Sequence, residues 1–406
     1  MSNKDYTFEA PVRRPLVLAY NQVGSALRSL GWKGRLHADD ILRLASQRTG
    51  LSDLGYPQFP DLLHRLTQAY EDEADLTPFG RLFIRLSLLS ITKTRLRMQD
   101  YLRQHPRIRE ARPLDPLIVV GMPRSGTTLL YNLLCQDPEG RPLLCWESSQ
   151  PAPVSGRLLK RDSRERDTRL AVAIINRLAP GLRHVHAVDP VGPEECTWLM
   201  ANTLVSPIFG LFGRIPSYFH WLWGLDAATW GGVYQDYLTQ LRILQHQRGG
   251  GHWVLKSPVH MMSLPHLLAA IPEARVVLTD RDPAAVVPSA CSLFAVVRAL
   301  GCDHIDREAL GAEILDLMAR FQRTALEAAR AYPERVARVH YRDFTQDKVG
   351  TVKAIYSHFG MPFSADNEQQ LSRWLKESKH VASHGYDLGQ FGLTERQIRD
   401  AFPTPQ

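Results

Sequence analysis

The pair Gly121-x-x-x-x-Gly126 brackets a short loop holding Pro123, Arg124 and Ser125, and it runs directly into Thr127 and Thr128. Glycines at this spacing, placed between a strand and a helix start, let unpaired N–H groups and a helix dipole converge on one anion. The spacing is that of the phosphate-binding loop of nucleoside-triphosphate enzymes, but the lysine that should follow the second glycine is Thr127. That lysine reaches the β- and γ-phosphates, so its loss argues against ATP or GTP hydrolysis. The cation stands inside the loop instead, at Arg124. A second arrangement is Arg281-Asp-Pro-Ala-Ala-Val-Val-Pro-Ser289. A planar fork of donors followed eight residues later by a hydroxyl can hold one more phosphate. Lys256-Ser-Pro-Val-His260 offers a second cation and a base whose neutral imidazole is available near pH 7. Glu147, in Cys145-Trp146-Glu147, is the competing base, because a carboxylate in an apolar site can be raised into a useful proton-accepting range.

These residues need rigid elements behind them. Leu117 to Val120 is a short β-branched-rich run, the pattern of a buried parallel strand. Thr127 to Gln136 has helical periodicity that Asp137-Pro138 stops. Further strands are predicted at His252–Leu255, Arg275–Thr279 and Val336–His340, and helices at Tyr234–Gln247, from Ala284, and at Asp306–Ala331, Asp347–Phe359 and Gln369–Lys376. Strands alternating with helices in this order predict an α/β fold, a parallel, doubly wound sheet in three layers. Residues up to about Arg112 read as helical. Asp39 and Asp40 can cap one helix, Pro60 opens another, and Thr77-Pro78 is a cap followed by proline at the first helical position. The expected organisation is a helical N-terminal subdomain over 1–112 and a P-loop-type α/β domain over 113–406, with an acceptor-side insertion at about 150–248. Within that insertion the Cys145–Pro153 stretch reads as a loop from its prolines, Arg157–Arg183 as an exposed helix, and His184 to Glu195 as irregular. Thr203 to Trp230 is dense in aromatics, among them Phe209, Phe212 and Tyr218. Such a run is either core packing or the lining of an acceptor channel.

Composition narrows the classes. The chain has 406 residues, 44% of them hydrophobic, enough for one large domain with additions or for two. A net charge of +7 without a basic stripe gives no case for nucleic acid and suits a highly anionic small molecule. The five cysteines are scattered with no Cys-x-x-Cys pair, which points to a reducing compartment. No signal-peptide core is visible at the N-terminus, and the longest apolar run, Thr203 to Gly224, is broken by Pro207, Arg214 and Pro216. A cytoplasmic protein without a transmembrane segment is expected. No histidine cluster has defensible metal-ligand spacing.

The loop Pro123-Arg124-Ser125-Gly126-Thr127-Thr128 resembles the phosphosulfate loop of the sulfotransferase family, and the Arg281-to-Ser289 spacing matches that family's 3′-phosphate segment. The likeness extends over nearly the whole chain, to the large bacterial branch with a helical N-terminal region. It includes Trp146-Glu147 followed by Pro-x-Pro, Gly-Pro-Glu194-Glu195, Trp-Val-Leu-Lys256-Ser-Pro-x-His260, Tyr341-Arg-Asp-Phe344 and Phe391-Gly-Leu393. The Arg-Lys-Gly segment of cytosolic animal sulfotransferases has no counterpart, and Leu129 stands where an adenine-stacking aromatic is expected. The resemblance implies transfer of a sulfonate from 3′-phosphoadenosine 5′-phosphosulfate to an acceptor hydroxyl, leaving adenosine 3′,5′-bisphosphate and needing no metal. Residues 123–129, Arg281, Ser289 and Tyr341 would then bind the donor, with Arg124 and Lys256 as cations on the transferring group. The loop is also similar to that of protein-tyrosine sulfotransferases, which place a catalytic glutamate shortly after it, where Glu147 stands here. His260 and Glu147 both stay open as the base. Glu194 and Glu195 could orient an acceptor, with Phe209, Phe212 and Tyr218 beside them, and the aromatics suggest a small lipophilic alcohol. A P-loop kinase using ATP and a non-catalytic nucleotide binder are the competing readings. Oligomeric state is not legible in the sequence, and a homo-oligomer stays open.

Overall fold

A computed structural model of the chain describes residues 15–30, 34–154, 162–178, 188–378 and 388–402. Of the stretches read above, the first residues of the chain, part of the 157–183 helix and the start of the His184–Glu195 segment lie outside the described residues. Five parallel strands form one sheet: β1 (Pro116–Gly121), β2 (Gly140–Pro142), β3 (His252–Lys256), β4 (Arg275–Asp280) and β5 (Val336–His340), in the order β2-β3-β1-β4-β5. Four were legible as apolar runs. The fifth, β2, was not, because Gly-Arg-Pro has no strand propensity. It is three residues long and lies at the sheet edge, where a proline costs no ladder hydrogen bond.

The period-2 geometry of the strands sorts their side chains between two layers. Ile118 and Val120 of β1, Trp253 and Leu255 of β3, and Val276 and Leu278 of β4 enter one core. Leu117, Val119, Val254 and Val277 enter the other. After α1 (Pro15–Ser29), which packs on α4 (Pro78–Gln104), the first core also takes in α2 (Ala38–Thr49), α3 (Phe59–Glu73) and α4, through residues such as Ile41, Leu63, Tyr70 and Leu88. Helices α2 to α4 and the sheet therefore share one apolar interior. The second core is closed by α5 (Thr127–Leu134) and by helices of the 341–377 region. The result is the three-layer α/β arrangement expected.

Local signals set most boundaries. Thr77 caps α4 through a side-chain bond from the Gly80 N–H, and its hydroxyl and N–H both reach Gly301 O. Helix α2 begins one residue before Asp39, after His37, with no side-chain cap bond, so the two aspartates act in its first turn and not as caps. The Cys145–Pro153 stretch is not all loop, since Cys145–Ser149 is a short helix. The prolines at 151 and 153 follow it and do not prevent it. The helix expected from Tyr234 starts earlier, at Ala227, where Asp226 accepts from the Thr229 N–H at 2.8 Å. β1 is the central strand: the chain passes to one side of it for β2 and β3, then crosses to the other for β4 and β5. Its carboxyl end is thus the switch point at which open α/β sheets bind ligands.

Candidate active site

The Gly121–Gly126 loop leaves β1 at that switch point. Gly121 faces Thr279 of β4 in register, and a Cβ on it would lie 2.0 Å from Thr279 Oγ1. Glycine is therefore required for the strand pair to close over the loop. Ser125 Oγ donates to Met122 O at 2.7 Å and lies 2.6 Å from Thr279 Oγ1, which pins the buried centre of the loop to β4. Arg124 has φ +70° and Gly126 φ +88°, so the loop takes two left-handed residues. A Cβ on Gly126 would come within 2.8 Å of the Tyr341 ring. Helix α5 starts at the next residue, aiming its first-turn N–H groups into the loop.

The expected donor-binding residues come together here. Arg281, just past β4, donates to Arg124 O at 2.7 Å, and its guanidinium lies 4.2 Å from the centre of the Tyr341 ring. The side chain of Arg124 is exposed and that of Pro123 half-buried, while Thr127 is buried and Thr128 exposed. Leu129 turns toward the second core and packs there, so it offers no stacking face. Ser289 sits in the second turn of the helix Pro283–Arg298, which Asp282 caps. Its hydroxyl is buried and has no hydrogen-bond partner within the protein. An orphaned hydroxyl, eight residues after Arg281 on the helix that follows it, is a donor that an anion could complete.

Lys256 ends β3 opposite Val119 of β1, with its side chain 3% exposed. Its Nζ donates to Glu195 Oε1 at 2.5 Å and reaches Thr128 Oγ1 at 3.4 Å. Glu195 belongs to the Gly-Pro-Glu-Glu segment, which lies along the carboxyl ends of β2 and β3. Leu144 bridges Pro193, Glu194 N–H donates to Leu143 O, and Cys196 N–H donates to Lys256 O at 3.0 Å. Sequence reasoning gave Glu195 no definite role, although it quoted the motif. Its partner lies 61 residues away, so only folding shows the pairing.

Several residues expected to carry chemistry lie in the interior. His260 has zero exposure, its Nε2 is 3.3 Å from Cys196 Sγ, and its Nδ1 is 3.2 Å from Tyr234 Oη. Burial drives its pKa down to about 3. It is a neutral interior histidine whose two ring nitrogens are both taken up, and no face of the ring is open to an acceptor. Glu147 is likewise 1% exposed. Its carboxylate receives donors from Arg141 at 3.1 Å, Arg248 at 3.2 Å and the Leu144 N–H at 3.0 Å, joining three parts of the backbone. It is a structural centre with its lone pairs in use, not a base facing an acceptor. Phe209 and Tyr218 are interior residues too. They meet edge to face at 6.0 Å, Tyr218 Oη donates to Leu204 O, and Phe209 O accepts from Tyr70 of α3. These two rings line no channel; they fasten the aromatic segment to the N-terminal helices. Phe212 is half-buried and stacks on Trp198 at 6.3 Å. Glu194 is buried, its Oε1 accepting the Glu195 N–H.

A sequence profile of the sulfotransferase family matches residues 116–365, from the first residue of β1 to the first residue of the helix Ala365–Glu377. The chain belongs to the sulfotransferase family. The omega-hydroxy-beta-dihydromenaquinone-9 sulfotransferase Stf3 of Mycobacterium bovis is 24% identical over 288 residues, 67% of this chain and 70% of that protein. Among solved structures, sulfotransferase STF1 of Mycobacterium tuberculosis H37Rv superposes with a TM-score of 0.80 at 28% identity, covering 91% of this chain and 99% of that one. Sulfotransferase STF9 of Mycobacterium avium gives the same score at 27% identity, over 91% and 96%. The matches to STF1 and STF9 take in the N-terminal helices as well as the sheet. The chain is a sulfotransferase, and the loop, Arg281, Tyr341 and Lys256 are parts of it that gather at the switch point.

Proposed function

We propose that this sulfotransferase takes 3′-phosphoadenosine 5′-phosphosulfate as donor and transfers its sulfonate to the hydroxyl of a small lipophilic acceptor. The observation that carries the donor assignment is the pairing of a phosphate-type loop with a second, separate anion site. The loop lacks a P-loop lysine, and at its side Arg281 leans on Arg124 while Ser289 keeps a buried, unpartnered hydroxyl. A donor with phosphates at both 5′ and 3′ positions uses both sites; ATP has nothing for the second. In this reading the loop N–H groups and Ser125–Thr128 hold the 5′ end, and Arg281 and Ser289 hold the 3′-phosphate. Tyr341, against Gly126 and under Arg281, fixes the arginine's plane. Arg124 meets the negative charge that develops on the leaving phosphate oxygen, and Lys256 meets the transferring sulfonate.

For the acceptor, the half-buried Trp198–Phe212 stack, whose Trp198 follows Glu195 by three residues, offers apolar surface. The relative Stf3 is named for a hydroxylated menaquinone, which supports an acceptor alcohol on an apolar carrier. The five cysteines are all unpaired, which supports work in the reducing cytoplasm. Among the described residues no helix is long and apolar enough to cross a membrane.

Calorimetric titration with adenosine 3′,5′-bisphosphate and with ATP tests the donor. The bisphosphate is expected to bind at least tenfold tighter, roughly 1.4 kcal/mol or more in favour of the 3′-phosphate site. Tighter binding of ATP would overturn the assignment in favour of a kinase. A panel of hydroxylated lipids with sulfur-labelled donor then reports the acceptor class.

A further inference from the structure

Helix α1 meets the rest of the protein along one narrow line. Its buried residues are Val17, Asn21 and Gly24, spaced four and three apart on one face. A Cβ on Gly24 would lie 2.5 Å from Pro78 Cβ, and Asn21 Oδ1 accepts from the Phe79 N–H at 2.9 Å, so this line is pressed onto the start of α4. A second line runs beside it. Leu16, Tyr20, Val23, Leu27 and Leu30 recur at the same helical spacing, yet they are between 41% and 82% exposed. Scattered exposed leucines would mean little, but these are not scattered. Of the ten large apolar side chains exposed among the described residues, seven lie between Leu16 and Leu30 or at Leu86 of α4.

The groove between α1 and α4 continues this apolar surface. Val23 and Leu27 line it from one helix, Pro78 and Leu82 from the other. Its remaining character is cationic: Arg28, Arg35, Arg81 and Arg85 line it, and no acidic side chain does. Arg81 is held by Glu71 at 2.8 Å and Arg28 reaches Leu76 O at 3.4 Å, whereas Arg35 and Arg85 are exposed. Asp40, the carboxylate that senses Arg85, is engaged by Arg43 at 2.8 Å.

We propose that α1 and this groove form a docking surface for an anionic lipid bilayer, the stripe lying among the acyl chains and the arginines at the level of the lipid phosphates. An apolar helical face flanked by arginines binds such a surface in two ways, by apolar burial and by attraction to the headgroups. Charge argues against the main rival, a second copy of this chain. In a two-fold contact the patch meets itself, which would set these arginines against their own counterparts with no acid in the groove to pair them. The surface also adjoins the acceptor side. On α4, Phe83 follows Leu82 and meets Phe212 at 5.6 Å, the ring that stacks on Trp198. A protein resting on a bilayer through α1 meets an acceptor on an apolar carrier where such carriers dissolve. The docking stands apart from that reading, because it is measured with neither donor nor acceptor present.

Flotation of the full chain with vesicles is the test. Vesicles of phosphatidylcholine alone are compared with vesicles of roughly one-third phosphatidylglycerol. The parent is expected to bind the anionic vesicles about tenfold or more over the neutral ones, and to be released as salt rises. Val23→Gln combined with Leu27→Gln should weaken that binding about tenfold or more. Arg35→Gln combined with Arg85→Gln should weaken it about 25-fold, since each cation near such a surface contributes about fivefold. All four side chains are exposed, so both double variants should keep the circular dichroism and melting temperature of the parent. No flotation of the parent, equal binding to both kinds of vesicle, or unchanged binding in either double variant overturns the proposal. So does a dimer in sedimentation velocity that Val23→Gln with Leu27→Gln splits, which would give this face to a second copy.

Discussion

Ser289→Ala is expected to move stability and ligand binding in opposite directions, which no purely structural role for this serine would do. The hydroxyl is 3% exposed and makes no hydrogen bond within the protein. A buried hydroxyl left unmet costs about 1–3 kcal/mol. Deleting it removes that penalty, and the void of one oxygen atom offsets only part of the gain. The ligand-free variant should therefore melt at or slightly above the temperature of the parent. Binding should go the other way. A hydrogen bond to a charged phosphate contributes about 1.5–3 kcal/mol. At about 1.4 kcal/mol per decade, its loss weakens adenosine 3′,5′-bisphosphate about 10- to 150-fold. The control ligand is adenosine 5′-phosphosulfate, which has no 3′-phosphate and should bind parent and variant alike. Differential scanning calorimetry and two titrations supply all the numbers. An equal loss for both ligands, or a clear drop in melting temperature with no change in binding, would refute the reasoning, because either places Ser289 in the fold and not at the 3′-phosphate.

Two further predictions follow from the residues the fold removed from the chemistry. Glu147→Gln leaves the interior guanidinium of Arg141, 1% exposed, without its full counter-charge and should destabilise the protein by about 3–5 kcal/mol, read from chemical unfolding. Turnover per folded molecule should persist, and its abolition in a folded variant would return Glu147 to the catalytic machinery. Burial holds the folded-state pKa of His260 near 3, below the ordinary value of 6.5. Between those values the unfolded chain binds the extra proton, so stability falls as pH drops from about 6.5 toward 3, by at most about 1.4 kcal/mol per pH unit from this one group. Urea unfolding of the parent and of His260→Gln across that range should show a shallower acid dependence in the variant. Identical slopes would mean that the ring is not held neutral by the fold.

The sequence by itself determined the strand, loop and helix start at the switch point. A strand, a glycine-bounded loop and a helix start are local in the chain, so Gly121, Arg124, Gly126 and Thr127 state their geometry by spacing alone. Arg281 and Ser289 do the same across one strand end and two helical turns. The parallel three-layer sheet was equally legible, since four of its strands are short apolar runs between helical stretches. The edge strand β2 was not, because pairing with β3 and not propensity makes it a strand. Tertiary structure decided everything that depends on what a side chain meets far away in the chain. His260 and Glu147 carry the right chemistry for a base, and nothing near them in sequence says that Tyr234, Cys196, Arg141 and Arg248 will close around them. The same holds for Tyr218 and Phe209, whose aromatic character fits a channel or a core equally well until Tyr70 and Leu204 claim them. Lys256 was found from its motif, but its counter-charge arrives from Glu195 and the loop's anchor from Thr279, 154 residues after Ser125. Residue type fixes what a group can do. Burial and partners, which only the packed chain supplies, decide whether it is free to do it.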